Sequence, residues 1–325
     1  MQDFSRRRFL ERSALGVGSL AFAAMVAPAA PAAPKKLAKR IVWLYMDGGI
    51  SHIDTFDPKP KLAELNGKAF PLKIEATQFD SNGPCLKSPW KTKQRGKSGL
   101  WISDLFPHLA EHADDLCVLR SMTNESAIHA AANYWMHTGW GTMGRPSYGS
   151  WIHYGLGSEA DDLPGFVVLN GGMIPTGGID NYKAGFLPAK HGPTLFDRND
   201  PAVPNLKPAV PERQKARLSA IADWDKDFSA KLGQPDAIET GLRNYELAAK
   251  MQSAVPDLLD LSKETKETKA AYGLDHDYEH TRTYGRQCLL ARKLLEKGVR
   301  SVAVTVPRVQ ADNRWDAHGG LRRLA

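Results

Sequence analysis

Cysteine is scarce in this chain. The 325 residues hold three, Cys85, Cys117 and Cys288. Three scattered thiols cannot build a disulfide scaffold or a zinc ribbon, and they allow one bridge at most. No apolar run is long enough to make a multi-span membrane protein, and there is no internal repeat. Charge of one sign is also in short supply: 43 Lys and Arg face 36 Asp and Glu, for a net +7. No Lys/Arg stripe interleaved with aromatics stands out, so nucleic acid is not an expected partner. What is present is ordinary globular composition, 42% hydrophobic and 24% charged. That excludes disorder and collagen-like structure, and a chain this long can bury a large core.

The first 33 residues read as an address. Ser5-Arg6-Arg7-Arg8-Phe9-Leu10 precedes an apolar run from Ala14 to Ala27, and small residues and prolines follow to Pro34. A charged region, a short apolar region and an A-x-A cleavage region make a signal peptide. The apolar stretch is too short and too rich in Gly and Ala for a stable span. Paired arginines before Phe-Leu resemble the twin-arginine export signal. The expected location is therefore periplasmic or secreted, with membrane contact only through an uncleaved signal.

The body, 34–325, alternates apolar runs with helical patterns. Ile41–Met46, Leu116–Leu119, Gly165–Leu169 and Val299–Val306 are short unbroken apolar runs, the pattern of strands buried on both faces. Helices are predicted after Ser103, over Ala127–Thr138 and Pro146–Tyr154, and over Pro211–Leu232, Ala237–Met251 and Tyr278–Lys297. Lys59–Leu100 and Gly171–Pro211 read as long loops. Trp43, Trp135, Trp151 and Met136 read as core, and His137 as structural. The expected fold class is α/β, a mostly parallel sheet flanked by helices.

In such sheets ligands bind outside the carboxyl ends of the strands. Asp47, His52, Asp54 and Asp57 follow the first run. Thr123, Ser126 and His129 follow the second, and Asp316 and His318 the fourth. Carboxylate with imidazole suits a divalent ion such as zinc or manganese. In an extended Asp-x-His segment, period-two alternation sends both side chains to one side. Alone, each feature has a plainer reading: Asp54, Thr55 and Asp57 as turn residues, His129 as a buried histidine. Their placement after three strand ends favours a shared site.

Met46-Asp47-Gly48-Gly49-Ile50-Ser51-His52-Ile53-Asp54-Thr55-Phe56-Asp57-Pro58-Lys59-Pro60 resembles the opening signature of the DUF1501 family of exported bacterial proteins. Similar segments follow in order: Arg145–Trp151, Leu163–Leu169, Gly185–Ala189, Tyr245–Met251, Asp260–Glu264, Tyr284–Arg292 and Trp315–Gly319. The resemblance covers the chain from about Arg40 onward.

It implies an alkaline phosphatase- or sulfatase-like fold and a metal-dependent hydrolase of phosphate or sulfate esters. Divalent ions (zinc, manganese or calcium) would be held by Asp47 or Asp54, with His129, Asp316 and His318. The nucleophile would be Thr123 or Ser126. The sulfatase signature, Cys or Ser then x-Pro-x-Arg, is absent, which argues against a formylglycine sulfatase. Family members continue past the Trp-Asp-x-His segment, so the domain is expected to be incomplete at its carboxyl end, and a chain truly truncated there is expected to hold one ion at most and to be inactive. The rival reading is a non-catalytic envelope binding protein that keeps the fold. Sulfated or phosphorylated polysaccharide, or a haem c envelope protein, would then be the partner.

Overall fold

Phe166-Val167-Val168-Leu169-Asn170 has no polar residue before its last position, and every one of its side chains is buried. Such a strand needs cover on both faces, and the fold supplies it. The computed structural model describes residues 38–73, 83–198, 202–203, 206, 210–232, 236–307 and 315–316. The 1–33 leader and His318 lie outside these residues. The chain divides after Lys39, and all that follows concerns Arg40 onward.

In chain order the elements begin with β1 (Ile41–Tyr45), α1 (His52–Thr55) and α2 (Pro60–Glu64). A hairpin of β2 (Thr92–Arg95) and β3 (Leu100–Ser103) precedes α3 (Pro107–Ala110). Next come α4 (His129–Thr138), α5 (Tyr148–Leu156), β4 (Phe166–Asn170) and β5 (Thr194–Asp197). The last are α6 (Pro211–Leu232), α7 (Asp236–Leu259), α8 (Lys266–Ala271), α9 (Glu279–Glu296) and β6 (Ser301–Thr305). Strands β1, β6, β4 and β5 form one sheet in that order, and every pairing in it is parallel. The fold is α/β, with a mostly parallel sheet flanked by helices. Among the described residues, no helix is long and apolar enough to cross a membrane.

Alternation along the strands divides the core in two. Val167, Leu169, Val302 and Val304 face Met251, Val255 and Leu258 of α7 and Leu290 and Leu294 of α9. Phe166, Val168 and Ala303 face the other way, against Tyr182, Trp43 and Tyr148. Burying each large apolar side chain contributes about 1.5–3 kcal/mol. β1 is an outer strand, and its Val42 and Leu44, in register with Val302 and Val304, remain exposed.

Several expectations need correction. Leu116–Leu119 is not a strand, and Cys117 and Leu119 are exposed. The turn before it is pinned elsewhere: the Asp114 carboxylate accepts the Lys97 and Ser98 amides at 3.0 and 2.7 Å. The two stretches read as loops hold the first strand of the hairpin and β5, both too short and too polar to show a period. Met136 and Trp151 are exposed rather than core. On α4 the buried face belongs to Asn133, Tyr134 and His137, which leaves Met136 outward. His137 is structural, as expected.

Candidate site at the carboxyl edge of the first strand

β1 ends in Asp47-Gly48-Gly49, where the backbone turns with φ of 106° at Gly48 and 92° at Gly49. Glycine meets these angles without strain. At Gly48 a second demand applies, because a β-carbon there would lie 2.6 Å from the backbone nitrogen of Asp316 and 2.9 Å from its Cβ. The turn is thus built for close approach of the 315–316 segment. The Trp315 amide completes the junction, donating to the Asp47 carbonyl at 3.2 Å. Trp315 then stacks on Phe106, and Phe106 on Phe56, with centroids 5.9 and 5.4 Å apart.

This junction carries Asp316 to the start of α4. There His129 Nε2 lies 3.2 Å from Asp316 Oδ2, with both side chains partly exposed. One turn further along α4, Asn133 is buried and donates from Nδ2 to Asp47 Oδ1 at 3.4 Å and to the Thr176 carbonyl at 2.8 Å. Its Oδ1 accepts the Tyr45 hydroxyl. Asp47 itself is 2% exposed. A buried carboxylate must be hydrogen-bonded to be tolerated, and Asn133 is one of its partners.

Of the residues expected from the sequence, Asp47, His129 and Asp316 come to this one place from three distant segments. Asp54 does not join them by any contact: its Oδ2 accepts the Ser51 hydroxyl at 2.6 Å. Thr123 is exposed in coil. Ser126 is part of the turn into α4, its Oγ accepting the Ile128 amide at 3.1 Å. Sequence reasoning missed Asn133 and Tyr45. Asn133 sits four residues after His129, hence on the same helix face, and that spacing was the available signal.

The donors suit a divalent ion in type, and their 3.2 Å separation matches two ligands on one centre with bonds of about 2 Å. Among the described residues no group of three His, Cys, Asp or Glu side chains is close enough to hold an ion. The sequence candidate for a third ligand, His318, lies outside them.

Behind the site is a buried aromatic shell. The His137 ring lies 4.4 Å from that of Tyr45 and 4.6 Å from that of Tyr182. Neither of its nitrogens has a hydrogen-bond partner, and burial lowers its pKa to about 3. His137 is therefore a neutral core residue and not a proton carrier near pH 7.

The chain is an α/β protein with a parallel sheet and with Asp47, His129 and Asp316 gathered at the carboxyl edge of its first strand. The chain belongs to a family described as "Protein of unknown function (DUF1501)", whose model matches residues 38–324. No curated protein and no solved structure matches it.

Proposed function

We propose that this is an exported, metal-dependent hydrolase of sulfate or phosphate esters, alkaline phosphatase-like in its fold. The observation that carries the reading is the His129–Asp316 pair, 3.2 Å apart and joined across the sequence by the Gly48 turn. His129, Asp316 and His318 would hold the ion, beside Asp47. A divalent ion, when bound, supplies polarisation of the ester oxygens and charge stabilisation of the leaving group. The chain's own contribution is orientation. Asn133 fixes the Asp47 carboxylate, the Trp315 amide fixes the Asp316 segment, and Phe106 with Trp315 shields one side from water. The twin-arginine leader supports a periplasmic or secreted location.

One observation favours a second reading, a non-catalytic binding protein for sulfated or phosphorylated polysaccharide or for a haem c envelope protein. Among the described residues, no histidine or carboxylate hydrogen-bonds to the hydroxyl of Thr123 or Ser126. An activated nucleophile needs such a base. The two readings separate in one experiment. The mature chain is titrated with zinc, manganese and calcium, then assayed with aryl phosphate and aryl sulfate. The hydrolase reading expects one ion to bind, turnover that depends on it, and loss of both by tenfold or more in His129→Ala and Asp316→Ala. Metal binding without turnover by any of the three metals favours the binding protein. A folded chain that binds none of them overturns the metal site.

A further inference from the structure

The sheet edge that carries Asp47 has a second feature at its far end. β5 ends at Asp197, with Arg198 next in the chain, and β4 ends at Asn170. Between these strand ends and the first turns of α9 lies a cavity of about 360 Å³. β1 and β5 are the outer strands of the four, so the cavity and the His129–Asp316 site lie toward opposite ends of the sheet.

Its lining has three parts. Leu169, Phe196 and Leu290 form a buried apolar inner wall. Arg198, Arg282 and Arg286 bring three guanidinium groups, against carboxylates from Asp197 and Glu279 only. Asp197 is engaged elsewhere, since its Oδ2 accepts the Asn170 amide at 3.0 Å. Arg282 is braced from behind, donating from one Nη to the carbonyls of His276 and Asp277 at 2.6 and 2.7 Å. Arg198 lies across Gly172, where a β-carbon would meet its Nε at 2.9 Å. Among the described residues none of the three guanidiniums makes an ion pair.

The third part is Gln287. It is 4% exposed, lines the same cavity, and has no hydrogen-bond partner at either Nε2 or Oε1. A buried amide with both ends unpaired is costly to keep. Leu290 and Leu294, three and seven residues on along the same face of α9, are buried apolar side chains, so a hydrophobic residue fits this helix face. A donor and an acceptor, both covered and both without a partner, thus lie in the wall of a space rimmed by cations.

We infer that this cavity is a binding site for a tetrahedral oxyanion ester that also carries hydroxyl groups, such as a sulfated or phosphorylated sugar. Arg198 and Arg286 take the anion through their planar forks. Entry of the ligand shifts the side chains that cover Gln287, whose amide then donates to a ligand oxygen while its carbonyl accepts from a ligand hydroxyl, and the Leu169–Phe196–Leu290 wall receives the apolar face of the ring. No bond is made or broken here. The site stands whether or not the His129–Asp316 pair is catalytic.

The test is calorimetric titration of the mature chain with inorganic sulfate, inorganic phosphate, galactose 6-sulfate and galactose 6-phosphate. The sugar esters are expected to bind one per chain and more tightly than the inorganic ions. Arg198→Gln and Arg286→Gln should each weaken that binding by about tenfold or more. Arg286→Lys should recover only part, because it keeps the charge and loses the fork. Arg198 is on the exposed rim, so its variant keeps the test valid if Arg286→Gln fails to fold. His129→Ala and Asp316→Ala should leave this binding unchanged, which separates it from the metal site. A folded chain that binds no ester, or binding that survives the Arg198→Gln/Arg286→Gln double variant, overturns the proposal. Inorganic ions bound as tightly as the sugar esters overturn the role of the hydroxyls.

Discussion

Gly48 and Gly49 share a backbone angle and differ in what surrounds them, which allows strain and crowding to be separated. Gly49→Ala meets nothing within 4 Å and should cost only the left-handed strain, about 1–2 kcal/mol. Gly48→Ala adds a collision with Asp316 backbone at 2.6 Å. It should cost more stability in urea unfolding and, unlike Gly49→Ala, weaken divalent-metal binding by displacing Asp316. Equal effects of the two on metal binding would show that the 315–316 segment is not held by this turn. His137 offers a second residue-scale test. Its folded pKa, about 3, lies below the unfolded value of about 6.5. Between those limits the unfolded chain binds the proton and the folded chain does not. Stability is therefore fully present above about pH 6.5 and falls as pH drops toward 3, by up to about 1.4 kcal/mol per pH unit from this group. His153, lowered to about 4 by burial first and by His191 and Lys190 next, adds to the slope over the upper part of that window. His137→Leu should flatten the decline in urea midpoint between pH 6.5 and 4. An unchanged slope would mean that His137 is protonated in the fold.

Among the elements, α9 joins the core to the inferred oxyanion cavity. One face packs Leu289 and Leu294, each 0% exposed, and its first turns carry Arg282, Arg286 and Gln287. It approaches its neighbours closely at Gly285, where a β-carbon would fall 1.7 Å from the Tyr272 carbonyl oxygen. Gly285→Ala should therefore destabilise by about 2 kcal/mol or more, since backbone cannot yield as a flexible side chain can. Gly241 in α7 is a matched control, helical and with nothing within 4 Å. Gly241→Ala should stabilise by about 0.4–1 kcal/mol, because alanine narrows the unfolded ensemble and favours helix. Denaturant unfolding of both variants checks the contrast, and a stable Gly285→Ala would place α9 further from Tyr272 than the structure has it.

For the molecule as a whole, the two sites are expected to act outside the cytoplasm. Arg6→Lys together with Arg7→Lys should leave precursor inside the cell, because the export receptor reads the guanidinium pair. Fractionation of cells expressing the double variant checks this, and unchanged export would remove the twin-arginine reading.

The fold class was legible because its signals are local. Ile41–Tyr45, Phe166–Leu169 and Ser301–Thr305 are short apolar runs and all three are strands, the last two buried throughout and the first an outer strand with Val42 and Leu44 exposed. Asp47 and Asp316 were legible as candidates because strand-end positions in a parallel sheet share one edge, whereas His129 reaches the site although the run before it is not a strand. Leu116–Leu119 misled for the same reason in reverse: four apolar residues fit a strand, and only the Asp114 anchor to the hairpin takes them out of the sheet. Asn133 behind Asp47, the collision that reserves Gly48 for Asp316, and the unpaired amide of Gln287 beneath Arg198 and Arg286 were not legible. The Asn133 and Gly48 contacts join residues more than 80 positions apart, and so does the meeting of Gln287 and Arg198 at one cavity, and such contacts are set by packing of the whole fold rather than by any local period. The sequence by itself determined the layers and the sheet edge at which the candidate residues gather. Tertiary structure decided which side chains meet there, because a hydrogen bond or a steric limit exists only between groups the fold has already brought together.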